Sequence, residues 1–262
     1  MPLYGRFQVE GAPRFAEIEL AAPAQFAGAI AHFVEGDLFN NPTRTGESAP
    51  VESLEILPPL SPPKMFAIGR NYAAHARELG NEVPTEPLMW FKSNSSLLPH
   101  GGTVEVAYPD HPTDYEAELA LVIGRRCKGV SEADAVSVIW GITNAQDISD
   151  RKIQRGESQW ARAKSLDTYT PLGPFISTDF DLSALGVQTR VNGEIRQNGN
   201  TRDLIFSPAH LIAFLSEAIT LEPGDVILTG TPEGVGPLRD GDELETRIGD
   251  LVSLRNSVRF KR

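Results

Sequence analysis

The chain has almost no cysteine, fewer basic than acidic residues, and no long apolar run. A single cysteine, Cys127, excludes an intrachain disulfide and any metal site built from several thiolates. Lys and Arg number 24 against 35 Asp and Glu, which argues against a nucleic-acid surface because phosphate binding needs clustered basic side chains. No run approaches the roughly 20 apolar residues that span a bilayer, so no membrane contact is expected. The start, MPLYGRFQVEG, lacks the apolar core of a secretion signal, so a cytoplasmic location is expected.

Proline, in contrast, is concentrated at one place that divides the chain. Before it, RFQVEG and RFAEIEL predict a hairpin with a turn at Gly11-Ala12-Pro13, and AQFAGAIAHFVEG predicts a short helix. The cluster LPPLSPP then follows at 57–63, and repeated proline forbids helix and discourages central strands. We therefore expect a small N-terminal α+β domain (1–56), a proline-rich linker (57–63) and a larger domain (64–262).

Most of the larger domain has a β pattern. Asn192-Gly193 lies between two alternating runs and predicts a hairpin, while PGDVILTG and RDGDELETRIGDLVSLRNSV predict further strands that begin at Gly-Asp turns. Two helices are predicted: Ser207-Pro208 provides an N-cap and an N1 proline, and Ser131 caps EADAVSVIW. The fold class is therefore mainly β, with a few short helices.

The stretch DYEAELALVIG, residues 114–124, places acidic side chains on one face of a predicted strand. Side chains alternate across a strand, so Asp114, Glu116 and Glu118 share a face that continues with apolar residues, and the opposite face is apolar throughout. The strand is therefore expected to run from a polar cavity into a buried interior. The alternative is an exposed sheet edge with solvated charges.

A metal ion would explain why the carboxylates are placed together. The Cβ atoms of Glu116 and Glu118 would lie about 6 to 7 Å apart on a strand, and two partly buried anions at that distance need neutralisation. Asp147, directly after the apolar run IWGITNAQ, offers a third carboxylate. Oxygen ligands without His or Cys suit Mg²⁺ or Mn²⁺. The alternative for Asp147 is a cap on the helix that follows.

Cationic and amide side chains lie close to these acids in the sequence. Lys164 stands alone among small and apolar residues and would balance the remaining negative charge. Arg151 and Gln154, one turn apart on the predicted helix after Asp147, would project beside the ion. The alternatives are a surface lysine and ordinary exposed helix residues.

GRNYAAHARELG, residues 69–80, predicts a short helix between two glycines. His75 and Glu78 are three residues apart and face each other, and a carboxylate beside an imidazole raises its basicity, as a general base requires. The flanking glycines would let the segment move as a lid. The alternative is a histidine with no catalytic role.

The glycine-rich stretch TGTPEGVG, residues 229–236, lacks the ending of a nucleotide phosphate loop and precedes no predicted helix. Its backbone N–H groups and the Thr231 hydroxyl would suit a substrate carboxylate. The alternative is a tight strand connection.

In this order, the stretches resemble the fumarylacetoacetate hydrolase (FAH) superfamily. Six stretches carry the resemblance across residues 66–236, namely IGRNYAAHARELG, DYEAELALVIG, GITNAQDISDRKIQ, WARAKSLDTYTPLGP, VNGEIRQ and LTGTPEGVG. It implies a mixed β-roll of the FAH C-terminal type, a homodimer, and one Mg²⁺ or Mn²⁺ ion per subunit.

The resemblance also implies roles for individual residues. It makes Glu116, Glu118 and Asp147 the metal ligands and His75, Glu78 and Lys164 the catalytic residues. The residues that it assigns to substrate binding are Arg70, Arg151, Gln154, Gly230 and Thr231.

The resemblance implies an enzyme that acts on 2-oxo or 2-enol acids through a metal-stabilised enolate. The chain is most similar to 2-hydroxyhepta-2,4-diene-1,7-dioate isomerase-like members, which act in aromatic catabolism. Acylpyruvate or fumarylpyruvate hydrolysis and oxaloacetate decarboxylation are the alternatives within the family, since all three share one intermediate. A non-catalytic metal-binding module is the alternative from another class.

Overall fold

The computed structural model describes residues 2–261, and these form a mainly β protein with short helices. The strands are β1 (Leu3–Val9), β2 (Ala12–Glu19), β3 (Ile30–Glu35), β4 (Thr43–Pro50), β5 (Glu55–Leu57), β6 (Met65–Gly69), β7 (Leu88–Lys92), β8 (Leu97–Leu98), β9 (Thr103–Val106), β10 (Thr113–Tyr115), β11 (Ala117–Ile123), β12 (Ile139–Gln146), β13 (Ser149–Asp150), β14 (Thr170–Ser177), β15 (Gly186–Val191), β16 (Glu194–Asn200), β17 (Val226–Leu228), β18 (Gly236–Pro237), β19 (Glu243–Ile248) and β20 (Leu254–Phe260). The α-helices are α1 (Ala73–Glu78), α2 (Glu132–Ala135), α3 (Arg151–Gly156) and α4 (Pro208–Ala218). None of these helices has the length and hydrophobicity that crossing a membrane requires.

Three sheets organise the strands. The largest runs in the order β4-β3-β2-β1-β14-β12-β11-β17-β6-β7, with β5 and β8 paired to its sides. A five-stranded sheet has the order β16-β15-β19-β20-β9, and β13-β10-β18 form a small third sheet. Parallel pairs such as β17 with β6 occur beside antiparallel ones, so the predicted mixed, mainly β fold is confirmed.

Strand β11 is buried on both faces, as the run of apolar residues predicted. Leu119 and Leu121 point into one hydrophobic core, which also contains residues of α4, and Ala120 and Val122 point into a second core. Such burial on both sides makes β11 a rigid support. Its first residue lies directly after Glu116, so the acidic end of the stretch enters the site from a fixed strand.

The predicted helices and hairpin are mostly present. Ser207 caps α4 by accepting a hydrogen bond from the backbone N–H of His210, and Asn192-Gly193 connects β15 to β16 with positive φ at both residues. The helix expected over EADAVSVIW is shorter than predicted. Only Glu132–Ala135 is α-helical, because a 3₁₀ turn follows and the chain enters β12 at Ile139.

The helix predicted around AQFAGAIAHFVEG is wrong. The chain instead forms β3, which pairs with β2 and β4, and Ala31 and Phe33 alternate inward with period two. Gly28 has a φ of +75°, which interrupts any helix here. The hairpin before it exists, but its turn is Glu10-Gly11, so Pro13 lies within β2 rather than in the turn.

The N-terminal strands join the large sheet through β1, which pairs antiparallel with β14. Phe7, Ile18 and Phe33 form a hydrophobic core together with Phe175 and Val252 from the later part of the chain. The N-terminal strands therefore pack directly on the larger unit that carries the acidic stretch.

Candidate active site with a cation centre

Three carboxylates predicted as metal ligands meet in the interior. One ligand oxygen from each of Glu116, Glu118 and Asp147 lies within 4.8 Å of the others, and all three residues are buried. Strand register explains the meeting. β11 pairs with β12 so that Ala117 lies opposite Gln146, and the backbone N–H of Asp147 donates to the carbonyl of Glu116 at 2.9 Å.

Asp147 is not a helix cap, so that alternative is wrong. The residue that caps α3 is Asp150, whose Oδ1 accepts hydrogen bonds from the backbone N–H groups of Lys152 and Ile153. The cap fixes the start of α3, and α3 in turn presents Arg151 and Gln154. The alternative of an exposed sheet edge is also wrong, because Glu116, Glu118 and Asp147 are each at most 3% exposed.

Two lysines neutralise part of this cluster. The ammonium of Lys164 contacts Glu116 and Asp147 at 2.7 Å each and the Ser149 hydroxyl at 2.8 Å. Lys92 donates to the other oxygen of Asp147. Lys164 is only 2% exposed, so the alternative that it is a surface lysine is wrong. Burial lowers the pKa of Lys164, but the charges of Asp147 and Glu116 outweigh it and the pKa is raised.

Arg151 contacts Oε1 of Glu116, and Lys164 contacts the other oxygen of that carboxylate. The Arg151 guanidinium lies 2.7 Å from Glu116 Oε1 and 2.7 Å from Asp114, and it donates to the Gln154 side chain at 2.9 Å. Burial opposes ionisation of Glu116, but Lys164 and Arg151 lower its pKa to about 2. Glu116 is therefore a carboxylate, and Asp114 is the partner of Arg151 rather than a member of the trio.

Glu118 is the one carboxylate of the trio that no protein cation balances. Within residues 2–261 it has no basic group in ion-pair contact, and its Oε2 accepts a hydrogen bond from the backbone N–H of Gly230 at 2.6 Å. Burial and the charges of Asp147 and Glu116 raise its pKa well above the ordinary range. Such a group is costly in the fold unless a cation joins it.

The trio therefore fits a divalent cation. It offers three buried oxygen donors, no nitrogen or sulfur, and one uncompensated negative charge, which is the donor set of Mg²⁺ or Mn²⁺. Gly230 adapts the backbone to this site. Its φ is +101°, and a Cβ there would lie 2.7 Å from that of Asn71, so a larger residue would push the loop away from Glu118.

His75 and Glu78 lie on α1 at the edge of the same cavity. His75 Nδ1 is 3.4 Å from Glu78 Oε2, and the Glu78 carboxylate also accepts the backbone N–H of Gly234 at 3.0 Å. His75 is 4% exposed, and burial lowers its pKa below the usual 6.5. The imidazole is therefore neutral at physiological pH and available to accept a proton.

One cavity of about 270 Å³ joins the two groups. Its wall contains most of the residues that the sequence assigned to the site, namely Arg70, His75, Glu116, Glu118, Arg151, Gln154, Lys164 and Thr231. Asp147 lies behind them in contact with Lys164. Thr231 also accepts a hydrogen bond from Gln197 at 2.8 Å. The N–H of Gly230 is directed to Glu118, so its predicted contact with substrate stays a prediction.

Several residues of the site were not predicted. Lys92, Ser149 and the cavity residues Trp90 and Trp160 belong to it. Lys92 had a signal in the sequence: in LMWFK the buried positions are Trp90 and Lys92, so the lysine occupies an inward position of an alternating strand. An inward lysine at a strand end indicates a buried anionic partner.

The fold and the cavity together define a mixed β protein with a candidate divalent-cation centre and a histidine–glutamate pair. Residues 64–259 match the family described as fumarylacetoacetate (FAA) hydrolase C-terminal, and residues 3–59 match the family Rv2993c-like, N-terminal. The chain therefore belongs to the FAA hydrolase family.

The chain is similar to proteins named as a tautomerase and as isomerases. It is 42% identical over 201 residues to oxaloacetate tautomerase FAHD1, mitochondrial, from Arabidopsis thaliana, covering 74% of this chain and 90% of that protein. The structure of 2-hydroxyhepta-2,4-diene-1,7-dioate isomerase from Mycobacterium marinum superposes with a TM-score of 0.92 at 35% identity, over 100% of this chain and 99% of that one. The 5-carboxymethyl-2-hydroxymuconate delta-isomerase from Mycobacterium smegmatis has a TM-score of 0.90 at 39% identity, over 100% of both chains.

Proposed function

We propose that this protein is a divalent-cation-dependent isomerase of 2-hydroxydienoates, with 2-hydroxyhepta-2,4-diene-1,7-dioate as the model substrate. The observation that carries the proposal is the placement of a neutral, buried His75 on the same cavity as the carboxylates Glu116 and Glu118. A general base and a cation centre that face one small cavity are what enol-to-ketone conversion requires. The isomerases from the two Mycobacterium species support the choice of substrate.

The acidic trio would hold Mg²⁺ or Mn²⁺, which when bound supplies a Lewis acid for the keto and carboxylate oxygens of a 2-oxo acid. The remaining steps belong to side chains of this chain. His75 accepts the proton of the enol hydroxyl, and the Glu78 carboxylate stabilises the imidazolium that forms. A proton is then delivered to the distal end of the diene, so the enol becomes a ketone and no atom is gained or lost.

Arg151, Gln154 and Thr231 are the groups that we propose for binding the carboxylate next to the reacting carbon. Arg151 is fixed by Asp114, Glu116 and the Gln154 side chain, so its orientation is set before substrate arrives. Preorganised donors of this kind cost little reorganisation during the reaction. Lys164 is committed to Glu116 and Asp147, so we assign it to holding these two ligands in place.

Hydrolysis of acylpyruvates is the second candidate, and the His75–Glu78 pair is the observation that favours it. A histidine backed by a carboxylate also activates water for attack on a carbonyl, after which the C–C bond breaks and pyruvate enolate leaves. Oxaloacetate decarboxylation and oxaloacetate enol–keto conversion use the same enolate without water. A non-catalytic metal-binding module is the alternative from another class.

One panel separates these reactions. The purified protein with Mg²⁺ is incubated with 2-hydroxyhepta-2,4-diene-1,7-dioate, acetylpyruvate, fumarylpyruvate and oxaloacetate, and the enol absorbance and the products are followed. Isomerisation predicts a shift in absorbance without fragmentation, hydrolysis predicts pyruvate and a free acid, and decarboxylation predicts CO₂. Absence of turnover of every compound, with Mg²⁺ bound, would reject an enzyme acting on these acids.

A further inference from the structure

Asp150 is a buried carboxylate that lies outside the acidic trio and outside the cavity wall. Its Oδ1 caps α3 by accepting hydrogen bonds from the backbone N–H groups of Lys152 and Ile153 at 3.0 and 2.9 Å. Its Oδ2 lies 2.7 Å from Nδ1 of His111, and across residues 2–261 no other side chain lies within hydrogen-bond or ion-pair distance of Asp150. Because a buried oxygen without a donor carries the full cost of leaving water, the Asp150 carboxylate depends on His111.

His111 is itself held in place by the turn that precedes it. Its backbone N–H donates to the Tyr108 carbonyl at 3.0 Å, and its ring stacks on that of Tyr108 with the ring centres 4.8 Å apart. The His111 side chain is 12% exposed, and its Nε2 faces the exposed Asp110 at 3.9 Å. Nδ1 is therefore the ring nitrogen that is committed to Asp150, where an imidazole N–H donates to the carboxylate.

The chain that follows His111 contacts the start of α3 at two more points. The Pro112 carbonyl accepts the backbone N–H of Arg151 at 2.8 Å, and the Asp114 carboxylate lies 2.7 Å from Nε of Arg151. Arg151 is the first residue of α3, which has only six residues. Helices this short depend on their caps and on tertiary contacts, so the position of α3 depends on Asp150 and on these two contacts.

We propose that His111 is a positioning residue, which holds the Asp150 cap in place and thereby fixes where α3 presents Arg151 and Gln154 to the substrate. The inference rests on the proposed function for the roles of Arg151 and Gln154 in binding the substrate carboxylate. His111 is not part of the cavity wall, so it acts only through Asp150 and α3.

Loss of the imidazole has a specific consequence for the site. Oδ2 of Asp150 would be left buried without a donor, which weakens the cap and lets the first turn of α3 fray. Gln154, whose side chain lies 2.9 Å from the Arg151 guanidinium, would then lose its fixed position. Glu116 would keep its contact with Lys164 at 2.7 Å, so the cation centre is retained. Substrate affinity should therefore fall while cation affinity stays unchanged.

The test measures the binding of pyruvate, a simple 2-oxo acid, to the full chain in Mg²⁺ by tryptophan fluorescence, since Trp90 and Trp160 line the cavity. His111→Phe keeps a ring that can stack on Tyr108 but cannot donate to Asp150. It should raise the Kd for pyruvate by about threefold to thirtyfold, which is the effect of losing a helix cap. His111→Asn restores the donor, because its amide nitrogen is bonded to Cγ as Nδ1 is, and its Kd should lie within about twofold of the wild type.

Asp110→Asn is the matched control, because it removes an exposed acid of the same turn together with its ion pair to Lys152 at 3.4 Å. It should bind pyruvate as the wild type does, and calorimetric titration should give all variants the Mn²⁺ affinity of the wild type. If His111→Phe does not fold, His111→Gln replaces it, since that side chain stays polar but its amide lies one bond beyond the position of Nδ1.

Four results would overturn the positioning role of His111. These are unchanged pyruvate binding in His111→Phe, equal losses in His111→Phe and His111→Asn, an equal loss in Asp110→Asn, and a wild type that binds no pyruvate. A loss of Mn²⁺ affinity in His111→Phe would likewise contradict an effect confined to α3.

Turnover of the dienoate by the wild type tests the proposed reaction separately. If the wild type turns over no dienoate, but His111→Phe weakens pyruvate binding and His111→Asn restores it, the reaction is rejected and the role of His111 stands. If the dienoate is turned over, His111→Phe should raise KM by the same factor as the Kd and leave kcat unchanged, because the lost interaction is made before and during the reaction alike.

Discussion

Glu116 and Glu118 of the acidic trio line the same cavity as His75 of the His75–Glu78 pair, but the chain supports the trio and the pair in different ways. Glu116 and Glu118 flank the start of β11, a strand buried on both faces, and Asp147 follows β12 in fixed register. His75 and Glu78 lie on α1, which has six residues and no side-chain cap. Helices this short have little stability of their own, so α1 depends on its tertiary contacts.

The contacts of α1 are also unevenly distributed. Its start is anchored by Asn71, which is fully buried and bonds to the backbone of Phe206 and Thr229. Its end has exposed Leu79, followed by Gly80, and is held by the hydrogen bonds from Gly234 to Glu78. Under the proposed function, the rigid strands would set the geometry for the cation, and the less firmly held α1 would carry the base.

The largest effect is expected from a change in the acidic trio, which the rigid strands β11 and β12 support. Glu118→Gln keeps the shape of the side chain but removes one of the three carboxylates, so Mn²⁺ affinity should fall sharply and turnover of an accepted substrate should fall by about a thousandfold or more. Calorimetric titration with Mn²⁺ and steady-state kinetics measure the two effects.

Thermal stability provides the control for Glu118→Gln. Glu118 lacks a cationic partner, so its replacement should leave the metal-free protein at least as stable as the wild type. Mg²⁺ should raise the melting temperature of the wild type and of Glu132→Gln, an exposed carboxylate variant, but not that of Glu118→Gln. An Mg²⁺ shift in Glu118→Gln equal to that of the wild type would place the cation elsewhere.

Replacement of the proposed base, His75, should lower activity without changing cation binding. His75→Gln removes the proton acceptor and should lower kcat by about a hundredfold to ten-thousandfold, with Mn²⁺ affinity unchanged because His75 is not one of the carboxylate ligands. His210→Gln, on the exposed face of α4, is the matched control and should retain full activity. If His75→Gln loses Mn²⁺ affinity together with its activity, the cation centre and the base do not act separately.

The acidic trio and the buried Lys92 beside it differed in how far the sequence predicted them. The acidic trio was predictable because alternation in DYEAELALVIG and the apolar run before Asp147 define strands, and strands determine which side chains share a face. Lys92 had a local signal in its inward position on an alternating strand, but its partners, Asp147 and the Lys164 carbonyl, are 55 and 72 residues away in sequence and could not be named from it. No local pattern contains such long-range contacts.

The wrong prediction of a helix in the N-terminal unit has a related cause. AQFAGAIAHFVEG has apolar residues that fit either period, and pairing of β3 with two neighbouring strands decided for the strand. Likewise, the candidate caps Asp147 and Asp150 are only three residues apart, and only the structure shows that Asp150 caps α3. Strand pairing and exact caps thus depend on tertiary context.

The smallest effect is expected from the partner of the base. In Glu78→Gln the imidazolium loses its carboxylate, whose hydrogen bond raises the pKa of His75 against the stronger effect of burial, so that pKa should fall further. Because a base works only when unprotonated, the loss of activity on acidification should begin at lower pH than in the wild type, and kcat at neutral pH should fall by about threefold to tenfold. Profiles of kcat against pH between about 5 and 8 measure both effects. Glu82→Gln, an exposed acid just beyond α1, should leave the profile unchanged, and a Glu78→Gln profile shifted to higher pH would contradict the pairing of Glu78 with His75.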